Sequence, residues 1–136
     1  MKIPPEAWQG TYAHTLGMTY DHFEPGHTVA SLAVEPHHCN PNGVCHGGAI
    51  FTLADDSMGG ALHPLAPEGH VPAATQVNVH YARSARAGDR LTAHTRVVSH
   101  GRRTALIESR VTDAEDRLVA LLTASYLFVE IRRAVV

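Results

Sequence analysis

Cysteine is scarce in this chain, neither sign of charge dominates, and no apolar run is long. Cys39 and Cys45 are its only two cysteines. They are too few for the disulfide framework of a small secreted domain and too far apart for a C-x-x-C pair, so reduced thiols are expected. The 11 Lys and Arg against 13 Asp and Glu leave a formal net charge of -2 and a pI of about 6.6, which gives no basic footprint for nucleic acid. Nowhere does the chain reach the roughly 18 uninterrupted apolar residues of a membrane span. Its opening MKIPPEAWQG lacks the apolar stretch of a signal peptide. A cytoplasmic protein that acts on small molecules or other proteins is the expectation. With 44% hydrophobic and 18% charged residues in 136, residues 1–136 make one domain around one core. Eleven histidines, scattered from His14 to His100, read mostly as surface or packing residues.

Residues 4–16 open with Pro-Pro-Glu and run through Ala7, Trp8, Tyr12 and Leu16, which predicts a flanking N-terminal helix. Gly17 to Glu24 and His27 to Glu35 read as strands joined by Pro25-Gly26. In the second, Ala30, Leu32 and Val34 make one oily face. The run PHHCNPNGVC at 36–45 predicts a loop with no regular element. His46 to Leu62 repeats apolar residues at 50, 53, 54, 58, 61 and 62, the period of a helix. Phe51, Gly47, Gly48, Gly59 and Gly60 fill its other sides, so burial nearly all round is expected. Pro64 and Pro67 end it and open a loop to about Val71. The remainder reads as strands: one alternating through Val77, Val79 and Tyr81, one at 90–99, one after Gly101, and a last at 118–129 beyond the polar hairpin Asp113 to Arg117. The last, apolar on both faces, is expected to be central. The class is α+β, an antiparallel sheet of five or six strands with one buried helix.

Asp55 and Asp56 fall in the middle of that helix, where an unpaired carboxylate costs several kcal/mol to desolvate. Adjacent helical residues project about 100° apart, so only one is expected to face a given cleft. Two readings stand: a structural pair bonded to backbone or arginine, and a general base or nucleophile beside a low-dielectric pocket. Upstream, Asn40-Pro41-Asn42-Gly43-Val44-Cys45-His46-Gly47-Gly48 places two glycines at the helix start. Free N–H groups and the helix dipole there make a candidate oxyanion hole, and a close glycine crossing against the sheet is the plain alternative. His37, His38, Cys39, Cys45 and His46 invite a zinc reading, but their spacing matches no ligand pattern. Cys45 beside His46 raises a thiol nucleophile, although packed cysteine is commoner. Arg83, Arg86, Arg102 and Arg103 lie near strand ends, where they are either solvated or phosphate-binding.

Taken together, these residues resemble the hotdog-fold acyl-CoA thioesterases, specifically the PaaI-like group named for phenylacetate degradation. The family pattern N-x-x-G-x-x-H-G-G, with an acidic residue nine positions after the histidine, is met by Asn40, Gly43, His46, Gly47, Gly48 and Asp55. Asn78-Val79-x-Tyr81, Gly88-Asp89, Gly101-Arg102-Arg103-Thr104 and Leu118-Val119-Ala120 come after them in family order. The resemblance implies a long central helix wrapped by a curved five- to six-stranded antiparallel sheet. It also implies a homodimer that joins two sheets, a homotetramer of such dimers, and active sites at the dimer interface. By the same resemblance Gly47 N–H polarises the thioester carbonyl, Asn40 orients water or substrate, Asp55 from the partner chain is base or nucleophile, His46 shapes the loop, and Thr75 is a candidate member. Gly48, Arg83, Arg102, Arg103 and Thr104 are the implied coenzyme A contacts. No metal and no separate cofactor is implied, since coenzyme A belongs to the substrate. The expected activity is hydrolysis of an acyl-CoA thioester, with phenylacetyl or hydroxyphenylacetyl favoured. A non-catalytic acyl-CoA-binding dimer and a hotdog dehydratase are the alternatives. No membrane or nucleic-acid partner is expected.

Overall fold

In the computed structural model, which describes residues 9–132, the alternating segments pair into one six-stranded sheet ordered β1-β2-β4-β5-β6-β3. The strands are β1 Thr19–Glu24, β2 His27–Ala33, β3 His70–Tyr81, β4 Arg90–His100, β5 Thr104–Thr112 and β6 Leu118–Glu130. Every neighbouring pair is antiparallel. One long helix, α2 over Gly47–Leu62, packs across β2, β4 and β5 and reaches β1 and β3 at the flanks. The α+β hotdog expectation holds at six strands.

Period and alternation account for the packing. Ile50, Leu53, Ala54, Met58, Ala61 and Leu62 of α2 are buried, and they meet Ala30 and Leu32, Leu91 and Ala93, Ile107 and Val111, and Leu122 on the inward sides of the strands. At ~1.5–3 kcal/mol for each fully buried large side chain, this one cluster dominates the stabilisation. The helix is not covered all round, however. Phe51, Thr52, Asp55, Asp56, Gly59 and His63 are only half-buried, a stripe at three- and four-residue spacing that the sheet leaves open.

Four buried hydroxyls tie helix to sheet. Thr28 Oγ1 donates to Ser57 O at 2.8 Å and lies 2.9 Å from Ser57 Oγ. Thr95 Oγ1 lies 3.0 Å from Ser57 Oγ and 2.8 Å from Ser109 Oγ. All four side chains are buried, so each hydroxyl's desolvation is offset only inside this chain of bonds.

Several boundaries differ from the sequence expectation. The first helix, α1, is confined to Tyr12–Leu16 and is closed by Gly17 at φ 88; the expected start at 4–8 lies outside the described residues. Residues 36–45 are more ordered than a loop, because Pro36–His38 forms a 3₁₀ turn and Cys39 and Cys45 make an isolated antiparallel bridge. Local side-chain bonding outcompetes the loop there: His38 Nδ1 accepts from Glu35 N at 2.9 Å and its Nε2 sits 2.6 Å from Leu16 O. Pro64 does not stop the helix at once, since His63–Leu65 continues as a 3₁₀ turn, which a proline at its second position tolerates. The last strand is second from the edge rather than central. Its residues 120, 122, 124, 126 and 128 are buried while 123, 125, 127 and 129 are exposed.

Thr95→Val keeps the volume and removes the hydroxyl that joins Ser57 to Ser109. It is expected to cost about 1–3 kcal/mol, the scale for stranding buried hydroxyls, measured as a lowered urea midpoint with an unchanged slope.

Candidate active site

The start of α2 is set by His46, whose ring caps the helix: Nδ1 accepts from Gly48 N at 2.7 Å, and its carbonyl accepts from Ala49 N at 2.9 Å. Gly48 N–H is thereby committed to the cap. Gly47 N–H, between them, meets no acceptor among the described residues. The Tyr81 hydroxyl donates to Gly47 O at 2.8 Å, and a Cβ on Gly47 would come within 3.0 Å of that phenol. A side chain there would force the phenol to shift, and the same crossing fixes the Gly47–Gly48 peptide, next to the one whose N–H is left free. Asn40 folds its own loop. Its Oδ1 accepts from Asn42 N and its carbonyl from Gly43 N, both at 2.9 Å. Its amide NH₂ is the side-chain group left to meet a ligand. Gly47, Tyr81, Arg83 and Cys45 border a cavity of about 400 Å³. Burial pushes the Cys45 thiol up to about 11, so it is a protonated packing group at neutral pH and not a nucleophile.

Eight residues on, ~12 Å along the helix axis, Asp55 and Asp56 both face one cavity of about 420 Å³ together with Gly59, His63, Pro72 and Tyr126. The expectation that only one could face a cleft is corrected: the cavity straddles the open stripe of α2 and takes both. Each carboxylate has its own phenol. Tyr126 of β6 donates to Asp55 Oδ1 at 3.2 Å, and Tyr20 of β1 donates to Asp56 Oδ2 at 2.9 Å. Burial raises both carboxyls above the ordinary aspartate value, the phenol hydrogen bonds oppose that rise, and the neighbouring Asp55 charge lifts Asp56 further. Burial, joined by the carboxylates, holds both phenols far above the usual tyrosine range, so they serve as donors. His63 Nδ1 is buried at this cavity and has no partner among the described residues.

The remaining predicted contacts separate into groups. Thr75 sits at a register shift in β3 and donates to Ser125 O at 3.0 Å. With Gly101 and Thr104 it lines a groove of about 630 Å³, while its neighbour Ala74 lines the aspartate cavity. The exposed Arg102 and Arg103 lie on the β4–β5 turn, level with Ala73 of β3 through Leu127. Arg83 follows Tyr81, eight strand residues or about 26 Å away. One chain thus brings Gly47 to Arg83, and Thr75 to Thr104. It brings neither Gly47 nor Asn40 to Asp55.

The thioesterase superfamily model matches residues 42–120, more than half the chain. This chain belongs to the thioesterase superfamily. A relative in Archaeoglobus fulgidus is 32% identical over 96 residues, which are 71% of this chain and 60% of that one. The acyl-coenzyme A thioesterase PaaI of Escherichia coli is 27% identical over 124 residues, covering 85% of this chain and 86% of its own. The structure of a point mutant of the phenylacetic acid degradation protein PaaI from Thermus thermophilus superposes with a TM-score of 0.81 at 30% identity, over 87% of this chain and 98% of that one. The relatives' names support a thioester hydrolase.

Two features of this thioesterase lay outside the sequence reading. Tyr126 was findable, because alternation along β6 puts a phenol on the buried side, where a hydroxyl needs a partner. Tyr20 was not, for its direction is set by a register shift between Tyr20 and His22. Of the residues behind the zinc reading of 37–46, both nitrogens of His38 and Nδ1 of His46 are engaged by the chain. No three of the five side chains converge among the described residues. His37 and His38 lie side by side in the 3₁₀ turn, with ring centroids 4.0 Å apart and tilted by 45°. Among the described residues no helix is long and apolar enough to cross a membrane.

The raised carboxyls carry a stability cost with a definite sign. The folded chain holds these protons more tightly than the unfolded chain does. Their contribution therefore falls as pH rises from the ordinary aspartate value through the folded value, and is flat above it. Asp56→Asn keeps an acceptor for Tyr20 and abolishes the Asp56 share of that fall. In urea titrations across about pH 4 to 8, the variant's stability minus that of the wild type is expected to be positive and to grow with pH before levelling. A difference independent of pH would contradict the assignment.

Proposed function

We propose that this thioesterase hydrolyses acyl-CoA thioesters, with aryl-acetyl groups such as phenylacetyl or hydroxyphenylacetyl favoured, in a site shared by two copies of the chain. The observation that carries it is the split along α2: a free N–H at Gly47 and a carboxyl with raised proton affinity at Asp55, ~12 Å apart on one helix and opening into different cavities. One carbonyl cannot reach both. A two-fold dimer with two such helices side by side sets each N-terminus against the other's carboxyl. The twelve-residue strand β3 is bonded on one side only, and an edge of that length needs a cover. Pairing with its symmetry mate supplies one.

In this reading the thioester oxygen accepts from Gly47 N–H at the positive end of the helix dipole. Asp55 of the second copy, ionised, takes a proton from water as the water oxygen bonds to the carbonyl carbon. The carbon–sulfur bond then breaks, and the departing sulfur takes up that proton, leaving free acid and coenzyme A. Burial makes Asp55 a stronger base than an exposed aspartate. Direct attack by Asp55 on the carbonyl is the variant of this scheme, with water cleaving the resulting anhydride. Asn40 orients water or substrate through its NH₂. Arg83, beside the Gly47 cavity, and Arg102, Arg103 and Thr104 at the other end are donors for the phosphates of coenzyme A. The acyl preference is supported by the relatives whose names tie them to acyl-coenzyme A and phenylacetic acid degradation.

Asp55→Asn is expected to lower kcat on phenylacetyl-CoA by about 100-fold or more while the fold is retained, and Asp56→Asn to lower it less. Binding with normal affinity but no wild-type turnover on any acyl-CoA would favour the binding-only dimer. The shared site is checked by mixing inactive Asn40→Ala chains with inactive Asp55→Ala chains through co-refolding. A mixed dimer holds one intact site, so activity is expected to return to below half of the wild-type value. Mixed dimers in sedimentation with no activity would place a complete site in each chain.

A further inference from the structure

The β1–β2 hairpin gathers three potential ligands on its outer side, away from every cavity described above. Glu24 and His27 are the last cross-strand pair before Pro25-Gly26, so their side chains project from the same face. His22, two residues before Glu24, joins them. Glu24 Oε1 lies 3.0 Å from His27 Nδ1 and 3.3 Å from His22 Nε2. The three ligand atoms all lie within 4.8 Å of one another, and the imidazoles are 4.8 Å apart between centroids. Among the described residues this is the only group of three such side chains that converges.

The convergence is produced by a backbone irregularity. Strict alternation would send Tyr20, His22 and Glu24 to one side of β1. The register shifts between Tyr20 and His22, so Asp21 is the extra residue of a bulge, and bulges re-aim the side chains beyond them. The outcome is that Tyr20 and Phe23 both turn inward, edge to face at 5.4 Å, while His22 and Glu24 remain exposed. The hairpin is also held in place beneath them: Gly26 N–H donates to Ala61 O at 2.8 Å, and Val97 N–H donates to Gly26 O at 2.9 Å. The ligand set therefore stands on a fixed turn, not a loose loop.

We propose that His22, Glu24 and His27 form a binding site for a divalent transition metal of the zinc type, with water completing its coordination. Metal bonds of about 2.0–2.1 Å from a tetrahedral ion give ligand–ligand edges of about 3.3 Å, which is the scale of the carboxylate–imidazole distances here. Two imidazoles and one carboxylate favour zinc, cobalt or nickel over magnesium or calcium, which prefer an all-oxygen shell. The nearest cation in the register is Arg96, opposite His27 on β4. Its charge works against any bound cation, which again favours ions that bind imidazole strongly over those held by charge alone. Hydrogen bonds with His27 and then His22 lower the Glu24 carboxyl below the ordinary glutamate value; a metal would take the place of those hydrogen bonds.

The test is calorimetric titration of the full chain with ZnCl₂, CoCl₂ and MgCl₂ at neutral pH, with circular dichroism to check the fold of each variant. Expected are one zinc site per chain, intense visible bands for cobalt, no corresponding magnesium site, and at least about tenfold weaker zinc binding in His27→Ala and in Glu24→Gln, since even outer-shell losses cost that much. Should His27→Ala not fold, the exposed His22→Asn replaces it. The proposal is overturned if the wild type takes up no zinc, or if the variants titrate as the wild type does, which would put the metal on others among the eleven histidines.

Discussion

A helix laid against one face of a single sheet must offer that sheet no unmatched polar group, and the rest of this molecule depends on how α2 meets that requirement. Its sheet-facing sides are aliphatic except at Ser57, and there the protein answers with a chain of hydroxyls from β2, β4 and β5. Polar function is thereby confined to the stripe the sheet leaves open. Asp55, Asp56, Gly59 and His63 fall on it because they are spaced by three or four residues, as one side of a helix requires. The position of the carboxylates is in this sense a packing result before it is a chemical one.

The way the two aspartates are held bears on what they can do. An arginine partner, which the sequence left open, would favour the ionised form and weaken a carboxylate as a proton acceptor. Phenols held far above their usual range donate a hydrogen bond without adding charge, so burial prevails and both carboxyls keep a raised proton affinity. Gly60 belongs to the same arrangement. A Cβ there would come within 2.6 Å of the Tyr20 hydroxyl, pushing the phenol away from Asp56.

Much of this was legible in the sequence for identifiable reasons. The helix could be read because residues 50, 53, 54, 58, 61 and 62 repeat at its period, and the hairpins because Pro25-Gly26 and Asp113 to Arg117 punctuate alternating runs. The helix start and Asp55 could be read from glycines and carboxylates where packing alone would not put them. Three things could not be read. The register shifts at Asp21 and Thr75 carry no composition mark, yet each inverts the facing of the strand residues beyond it. The phenol–carboxylate bonds join residues 36 and 71 positions apart, beyond any local pattern. The order in residues 36–45 comes from side-chain bonds of His38 to Glu35 and Leu16, in a stretch whose prolines and asparagines signal only irregularity.

The bond from Gly26 to Ala61 has a meaning for how the chain reaches this state. Where α2 tightens into the turn at His63–Leu65, the Ala61 carbonyl loses its place in the helical ladder, and a hairpin formed much earlier in the sequence takes it up. The helix end is thus closed from afar as well as by the local turn, where Ala66 N–H donates to His63 O. Its final turn and the β1–β2 turn gain their full stability only together, which joins N-terminal and central segments into one cooperative unit of high contact order. Loosening the hairpin would fray the helix end nearest the aspartates, and the two would share their resistance to hydrogen exchange.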